Sequence, residues 1–398
     1  MLKGKTILLG VSGGIAAYKM ADVASALVKL GAKVHVLMTK NATNFINPIT
    51  FETLTCNKCI VDTFDRNFDF KVEHISLAKA ADIVLIAPAT ADVIGKIAHG
   101  IADDMLTTTI MACKCPILVS PSMNTNMYEN PIVTDNITRL KSYGYEIIEP
   151  ACGHLACGDS GKGKLPSPEL LVEHIKLRIA MNKDMAGKKL LVTAGATQEA
   201  IDPVRYITNH STGKMGYAIA TMAAYRGAEV TLISGKTSIN APLGVETINI
   251  KSAEDMYNAV CSLAPSQDII IKAAAVADYT PLETADNKIK KSDSDMAIPL
   301  KRTTDILKQL GENKKDGQFI CGFSMETENM LENSRAKLER KNADMIVANN
   351  LKTSGAGFGC DTNIVTLITK DSVKELDIMS KADVANAILD AIMESYNK

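Results

Sequence analysis

Thr6-Ile7-Leu8-Leu9-Gly10-Val11-Ser12-Gly13-Gly14 opens the chain with an apolar run that ends in a hydroxyl and a glycine pair. The spacing that follows predicts a helix over 15–30, a Gly31-Ala32 turn and a second strand over 33–38. Short apolar runs bounded by turns and separated by a helical pattern read as strands buried in a parallel sheet. Strand, glycine turn, helix and strand make the first unit of an α/β fold. A glycine pair at a helix start lets backbone N–H groups approach a phosphate, and Ser12 adds a hydroxyl. The same residues also serve as a plain tight turn, and the strict GxGxxG spacing is missing. At the end of the second strand, Thr39-Lys40 stands where an acid would hold a ribose. A mononucleotide such as FMN therefore fits this turn better than NAD.

Outward from this opening, the same grammar repeats. A strand over 82–87 ends in Pro88-Ala89-Thr90-Ala91-Asp92, and one over 116–120 ends in Pro121-Ser122-Met123-Asn124-Thr125-Asn126-Met127-Tyr128. Both place polar residues at a carboxyl strand end, the ligand-binding edge of an open parallel sheet. Residues 151–168 are rich in Gly and read as a mobile flap carrying Cys157. A helix over 168–179 leads to a boundary at 181–187. Beyond it, 189–193 is again a strand, and 226–234 and 268–278 echo 30–39 and 82–92. The later elements read as a helix from Thr304, a strand near 318–322, a helix over 328–341, strands over 345–348 and 364–369, and a closing helix from Lys381. At 398 residues the chain is too long for one core. The expected architecture is α/β, with two tandem doubly wound, mainly parallel sheets. The first, over 1–187, is flavodoxin-like or Rossmann-like, and the second, over 188–398, is Rossmann-like.

The second half carries one long connection, Asp202-Pro203-Val204-Arg205-Tyr206-Ile207-Thr208-Asn209-His210-Ser211-Thr212-Gly213-Lys214-Met215-Gly216, before a helix over 216–225. Roughly 2–6 residues suffice for such a connection, and long ones usually hold a ligand. Gly213-Lys214 is not the end of a Walker A loop. Thr208 replaces its first Gly, and Met215 its metal-binding hydroxyl. Lys288-Ile289-Lys290-Lys291 is either a solvated face or, close after the strand-end acid Asp278, a cation loop for a triphosphate and its metal. Cys56-Asn57-Lys58-Cys59 lacks the second pair that zinc requires. It reads as incidental cysteines or as a redox pair at a helix start. His74, ahead of a helix over 75–80, is structural or catalytic, and Asn124 is undecided locally.

Composition narrows the class. A net charge of −1 argues against nucleic acid as a partner. The opening apolar run is too short to span a bilayer. Nine scattered cysteines without a secretory leader suggest free thiols in a cytoplasmic protein.

Together the motifs resemble the bifunctional phosphopantothenoylcysteine decarboxylase/phosphopantothenate–cysteine ligase family of bacterial coenzyme A biosynthesis. The resemblance spans the whole chain in the same domain order. The first half carries Val11-Ser12-Gly13-Gly14-Ile15-Ala16-Ala17-Tyr18-Lys19, Ala87-Pro88-Ala89-Thr90-Ala91-Asp92 and the PxMNxxM stretch at 121–127, with Tyr128 in place of the family's usual Trp. The second half carries 202–216, 273–279 and 288–291, with Thr303-Thr304 in place of the usual Asn-Pro before Asp305.

The resemblance implies FMN contacts at Ser12, Gly13, Gly14, Thr39, Pro88, Ala89 and Thr90. It implies oxidation of the substrate thiol to a thioaldehyde, loss of CO₂ to an enethiolate, and reduction back to the thiol. Asn124 would bind the substrate carboxylate, His74 would act as base or orienting group, and Cys157 would donate the proton. In the second half it implies Lys288 on the phosphates of CTP. Further nucleotide contacts would be Ala274, Asp278, Thr304, Asp305, Ile306, Leu307, Phe323, Lys337 and Lys341. Asn209 would handle the acyl cytidylate. Mg²⁺ would be held mainly by the phosphates, with Asp278 as its candidate protein ligand. The implied conversion takes 4′-phosphopantothenate, cysteine and CTP to 4′-phosphopantetheine. The implied assembly is a homo-oligomer of flavin-domain trimers and ligase-domain dimers, compatible with a dodecamer. Two rivals make different demands. A flavodoxin-like redox protein fused to a nucleotide-binding domain would need an external electron donor. A catalytically dead regulatory relative would lack His74, Asn124 or Cys157, and all three are present.

Overall fold

The structure is a computed structural model that describes residues 1–64, 72–154, 158, 160–291, 295–326, 329–350 and 359–396. It divides into two compact units, Met1–Met181 and Asn182–Lys398. The division falls at the start of the 181–187 stretch because the residues after it pack on the second unit. Met185 N donates to Arg226 O at 3.0 Å, and Arg226 forms an ion pair with Asp184.

The first unit holds five parallel strands: β1 (Thr6–Val11), β2 (Lys33–Met38), β3 (Ile83–Ala89), β4 (Ile117–Pro121) and β5 (Glu146–Ile147). Their order is β2-β1-β3-β4-β5. Alternate side chains leave opposite faces of a strand. Ile7, Leu9 and Val11 accordingly enter one core cluster, and Leu8 enters the other with Val84 and Ile86. Both faces of the sheet are covered, so the strands read as unbroken apolar runs. The Asp82 carboxylate fixes the entry of the sheet by accepting from Thr6 N at 2.7 Å.

The helix pattern over 15–30 is in fact a 3₁₀ turn, Ile15–Lys19, followed by an α-helix, Met20–Lys29. Helices Pro48–Thr55, Glu73–Ala80, Ala91–Ala98, Met105–Ala112, Pro131–Ser142 and Pro168–Ile179 complete the two layers.

The Gly-rich stretch differs from the loop expected of it. Ala151–His154 (β6) and Ser160–Lys164 (β7) form an antiparallel hairpin. Its glycines mark close approach of backbone. A Cβ at Gly163 would lie 2.1 Å from Met123 O, and one at Gly161 would lie 2.6 Å from Thr125 Oγ1. Met123 N donates to Gly163 O at 3.0 Å, which pins β7 to the end of β4.

The second unit is built on an eight-stranded sheet. In chain order its strands are β8 (Lys189–Ala194), β11 (Glu229–Ser234), β12 (Val245–Asn249), β13 (Ile269–Lys272), β16 (Phe319–Glu326), β17 (Met345–Asn350), β19 (Val365–Thr369) and β20 (Val373–Glu375). The spatial order is β12-β11-β8-β13-β16-β17-β19-β20. The first six are parallel, β19 runs against them, and β20 pairs antiparallel with β19. From β8 the chain builds outward through β11 and β12, then returns to β13 and builds the other way. The order therefore reverses between β8 and β13, where open α/β sheets bind their ligands.

Three small ribbons decorate this sheet. The long connection after β8 contains β9 (Gln198–Ala200) paired with β10 (Tyr206–Thr208). Tyr279–Pro281 (β14) pairs with Leu300–Arg302 (β15). Thr362–Asn363 (β18) pairs with Met379–Ser380 (β21). Helix Lys214–Tyr225 starts earlier than the periodicity suggests, because Gly213 takes the left-handed N-cap conformation at φ 80°. Among the described residues, no helix is long and apolar enough to cross a membrane.

Candidate active sites

In the first unit the strand order puts the reversal between β1 and β3, and the predicted flavin residues flank it. Ser12 is fully buried. Its hydroxyl donates to Pro88 O at 2.6 Å and accepts from Thr90 N at 2.9 Å. It thus ties the two strand ends together at the reversal. Gly13 is required by packing, since a Cβ there would sit 2.5 Å from Asn41 Cβ. At Gly14 a Cβ would meet only ordinary contacts with Thr90 and Pro88. Thr39 caps the 3₁₀ turn Lys40–Asn44, accepting from Ala42 N at 3.3 Å.

Asn124 caps the short helix Thr125–Tyr128, its Oδ1 accepting from Asn126 N at 2.9 Å. Tyr128 donates its hydroxyl to Glu149 at 2.9 Å. Burial, and then the Glu149 carboxylate, push its pKa up to about 12. His74 lies inside the first turn of helix Glu73–Ala80, not ahead of it. Cys157, between β6 and β7 in the chain, lies outside the described residues. Cys56 ends helix Pro48–Thr55 instead of starting one, in a left-handed C-cap. Burial and the Glu52 charge push the Cys59 thiol up to about 12, the opposite of an activated redox pair. The eight described cysteines are free.

In the second unit a cavity of about 880 Å³ opens at the β8/β13 reversal. Asn209, Ala274, Asp278, Thr304, Asp305, Ile306, Leu307, Phe323, Lys337 and Lys341 all line it. These residues come from five separate stretches of chain. Asn209 Nδ2 donates to Ala275 O at 3.2 Å, fixing the amide on the cavity wall. The Thr303-Thr304 turn is closed by Thr303 itself. Its hydroxyl donates to Ala277 O at 2.6 Å, and its N–H donates to Asp278 O at 2.9 Å. Asp305 then caps helix Ile306–Glu312 through Lys308 N at 2.9 Å and pairs with Lys341 at 2.5 Å. Burial raises the Asp305 carboxyl, but the Lys341 ammonium and the Lys308 N–H outweigh it and hold the pKa below its ordinary value. Lys337 donates to Phe323 O at 2.9 Å.

Lys288 is the exception. It is exposed and does not line the cavity. Its neighbour explains how that loop is held. The buried Asp202 carboxylate accepts from Ile289 N at 3.1 Å, Val204 N at 2.8 Å and Arg205 N at 2.9 Å. Arg205 Nε adds a bond at 2.9 Å, and the guanidinium also donates to Ile289 O at 2.9 Å. The Arg205 guanidinium, with these N–H donors, holds Asp202 far below the usual carboxylate range. Asp202 therefore latches the lysine loop to the β9–β10 ribbon.

The cavity also gathers residues that the sequence reading passed over: Lys272, Arg302 and Lys381. Each stands at the end of a strand or the start of a helix, where periodicity gives no signal of a site. Among the described residues, no cluster of three or more His, Cys, Asp or Glu side chains could hold a metal.

Comparison with known proteins accords with this two-site arrangement. The family described as "Flavoprotein" matches residues 1–180, and "DNA/pantothenate metabolism flavoprotein C-terminal domain" matches residues 185–396. The Coenzyme A biosynthesis bifunctional protein CoaBC of Bacillus subtilis (strain 168) is 50% identical over 396 residues, 98% of this chain and 97% of that protein. The protein of the same name from Borreliella burgdorferi is 45% identical over 391 residues, 98% of this chain and 99% of that protein. The crystal structure of the C-terminal domain of a CoaBC protein is 46% identical, covering 55% of this chain and 99% of that one at a TM-score of 0.47. The class is thus an α/β enzyme that joins a flavoprotein unit to a Rossmann-like unit. The chain belongs to the bifunctional phosphopantothenoylcysteine decarboxylase/phosphopantothenate–cysteine ligase (CoaBC) family of coenzyme A biosynthesis.

Proposed function

We propose that the unit 182–398 joins 4′-phosphopantothenate to cysteine with CTP, and that the unit 1–181 decarboxylates the product to 4′-phosphopantetheine. The observation that carries this reading is the convergence of Asn209, 274–278, 304–307, Phe323, Lys337 and Lys341 on one cavity. An unreactive carboxylate must first be activated. It attacks the α-phosphorus of CTP, pyrophosphate leaves, and the cysteine amine then displaces CMP from the acyl cytidylate. Charge builds on the phosphate oxygens as the first step proceeds. Lys337 and Lys341, one turn apart on helix Met330–Arg340 and its C-cap, present two ammonium groups to that charge. Asn209, held by Ala275 O, meets the acyl group. Lys288 acts from the latched loop. Mg²⁺ would be held mainly by the phosphates and would offset their charge, with the exposed Asp278 as its candidate protein ligand.

In the first unit, the backbone between the β1 and β3 ends fits FMN. The strand order is the one that places a flavin at that reversal, and Ser12 pre-sets Thr90 N beside it. Bound there, FMN supplies the two-electron oxidation and its return, which make loss of CO₂ possible. Asn124 receives the substrate carboxylate on a loop that β7 braces. His74 accepts or orients a proton in the first half-reaction, and Cys157 returns one in the second. Each such transfer contributes about 10²–10⁴-fold. The exposed apolar residues Ile15, Tyr18, Phe45 and Ile49 near this edge favour self-association of the flavin unit. The full reading is a cytoplasmic homo-oligomer working on small molecules.

The test is to incubate the purified protein with 4′-phosphopantothenate, cysteine and each nucleoside triphosphate in turn, and to identify products by mass. CTP alone should give 4′-phosphopantetheine, CMP, pyrophosphate and CO₂. An absolute need for added NAD(P)H would overturn the reading in favour of a redox protein.

A further inference from the structure

Lys272 ends the central strand β13, after the fully buried Ile269, Ile270 and Ile271. Its strand partners are Thr193 of β8 and Gly322 of β16, so it stands at the reversal of the sheet. It shares a face with Ile270, which packs with Ile306, Leu307 and Leu338. That face carries the helices that supply Lys337, Lys341 and the cap residue Asp305. Lys272 lines the cavity and is half-buried.

The other ammonium groups on the cavity wall are engaged. Lys341 pairs with Asp305 at 2.5 Å, Lys337 donates to Phe323 O at 2.9 Å, and Lys214 pairs with Asp361 at 2.7 Å. Lys381 donates to Cys360 O. Among the described residues, Lys272 alone of these has neither a hydrogen-bond acceptor nor a carboxylate within ion-pair distance. A half-buried ammonium without a hydrogen-bonded or ion-paired partner has lost hydration that more distant charges only partly offset. At the floor of a ligand cavity, the missing counter-charge belongs to the ligand. The charged groups facing it are Asp305 and Lys337 from the helical layer and Asp278 from the segment after β13. Asp305 is already engaged by Lys341.

Resting on the nucleotide reading of this cavity, we propose that Lys272 is a further polyphosphate contact of the ligase site, gripping the anionic tail of the nucleoside triphosphate. The consequence is a proton linkage. Burial pushes the Lys272 ammonium down to about 8. Asp305 opposes that fall, Lys337 deepens it and Asp278 opposes it. An arriving polyphosphate favours the charged form, so the site takes a proton from solvent as the nucleotide binds. With a pKa of about 8, the uptake approaches roughly half a proton per site at pH 8 and fades toward pH 6.5.

The experiment is calorimetric titration of the full chain with CTP and with CMP, at pH 6.5 and 8, in two buffers of different ionisation enthalpy. Wild type, Lys272→Met and Lys272→Arg are compared. Wild type should show proton uptake with CTP at pH 8 only. Lys272→Met should bind CTP about tenfold more weakly at pH 6.5, the loss of one charge-assisted contact. Its affinity for CMP, which lacks the tail, should change little. Lys272→Arg should keep CTP affinity within about twofold and lose the uptake, because arginine stays charged. Should Lys272→Met fail to fold, Lys272→Arg still decides. Uptake persisting in the arginine variant overturns the proposal, as does unchanged CTP affinity in a folded methionine variant. A wild-type protein that binds no CTP overturns the nucleotide reading itself, and this inference falls with it.

Discussion

At the edge of β1 and β3, Ser12, Thr39 and Asn124 turn their side chains onto neighbouring backbone, and glycines let β7 press on the Asn124 loop. In the cavity at β8 and β13, Lys272, Lys337, Lys341 and Lys381 line a basin around two carboxylates, Asp278 and Asp305. The first site is shaped by close packing and offers backbone to its ligand. The second is shaped by charge and offers ammonium groups. Both lie at the reversal of a doubly wound sheet, so the fold sets the place and the local residues set the means. A site of the first kind should fail when a methyl group is added. A site of the second kind should fail when a charge is removed or screened.

The largest effect is expected at Gly163. An added Cβ must displace Met123 O or lift β7, which moves the Asn124 loop. Displacement on this scale costs about 10²-fold in rate. Gly163→Ala should lose that much CO₂ release from supplied 4′-phosphopantothenoylcysteine while pyrophosphate release with CTP stays near wild type. Equal loss in both assays would merge the two sites. Next comes Lys341→Ala. It removes the cation proposed to face the phosphates and leaves Asp305 without its ion-pair partner. Cytidylate formation should fall by about tenfold or more, with CO₂ release spared. A variant with unchanged KM for CTP would show that Lys341 does not face the phosphates.

Ionic strength draws the contrast without mutation. The screening length falls from about 10 Å at 0.1 M to about 3 Å at 1 M. CTP affinity should weaken several-fold across that range, and FMN retention should change less. A steeper loss of FMN would reverse the assignment of means to sites.

The smallest effect belongs to Asp202. Its pKa is lowered on folding, so the stability it contributes is fully present above the ordinary carboxylate range, near pH 4. That contribution is lost as pH falls through the lowered value. Asp202→Asn should melt a few degrees lower than wild type at pH 7, and the gap should narrow in strong acid. Identical melting at pH 7 would remove Asp202 from the latch.

Much of this was legible in the sequence, for reasons that differ by region. Strands β1, β3, β8 and β13 are buried on both faces, so each shows as an apolar run with a polar end. The residues proposed for the ligase site sit in long motifs, and all of them but Lys288 line one cavity. The 151–168 stretch is harder to read because glycine density has two causes: a loop, or, as at Gly161 and Gly163, close approach of a strand to its neighbour. Lys272 escaped because one cation after three isoleucines looks like the end of a strand. Its lack of a partner exists only once β8, β16 and the helical layer surround it. The bond from Asp202 to Ile289 joins residues far apart in the chain, and no local pattern announces it.

The account's central claim is that two separately built sites are linked by a released intermediate. Mixing Gly163→Ala with Lys341→Ala, and following products by mass from 4′-phosphopantothenate, cysteine and CTP, tests it most directly. Gly163→Ala alone should accumulate 4′-phosphopantothenoylcysteine, Lys341→Ala alone should make little of anything, and the mixture should convert the intermediate on to 4′-phosphopantetheine. A mixture that still stalls at 4′-phosphopantothenoylcysteine would contradict the account.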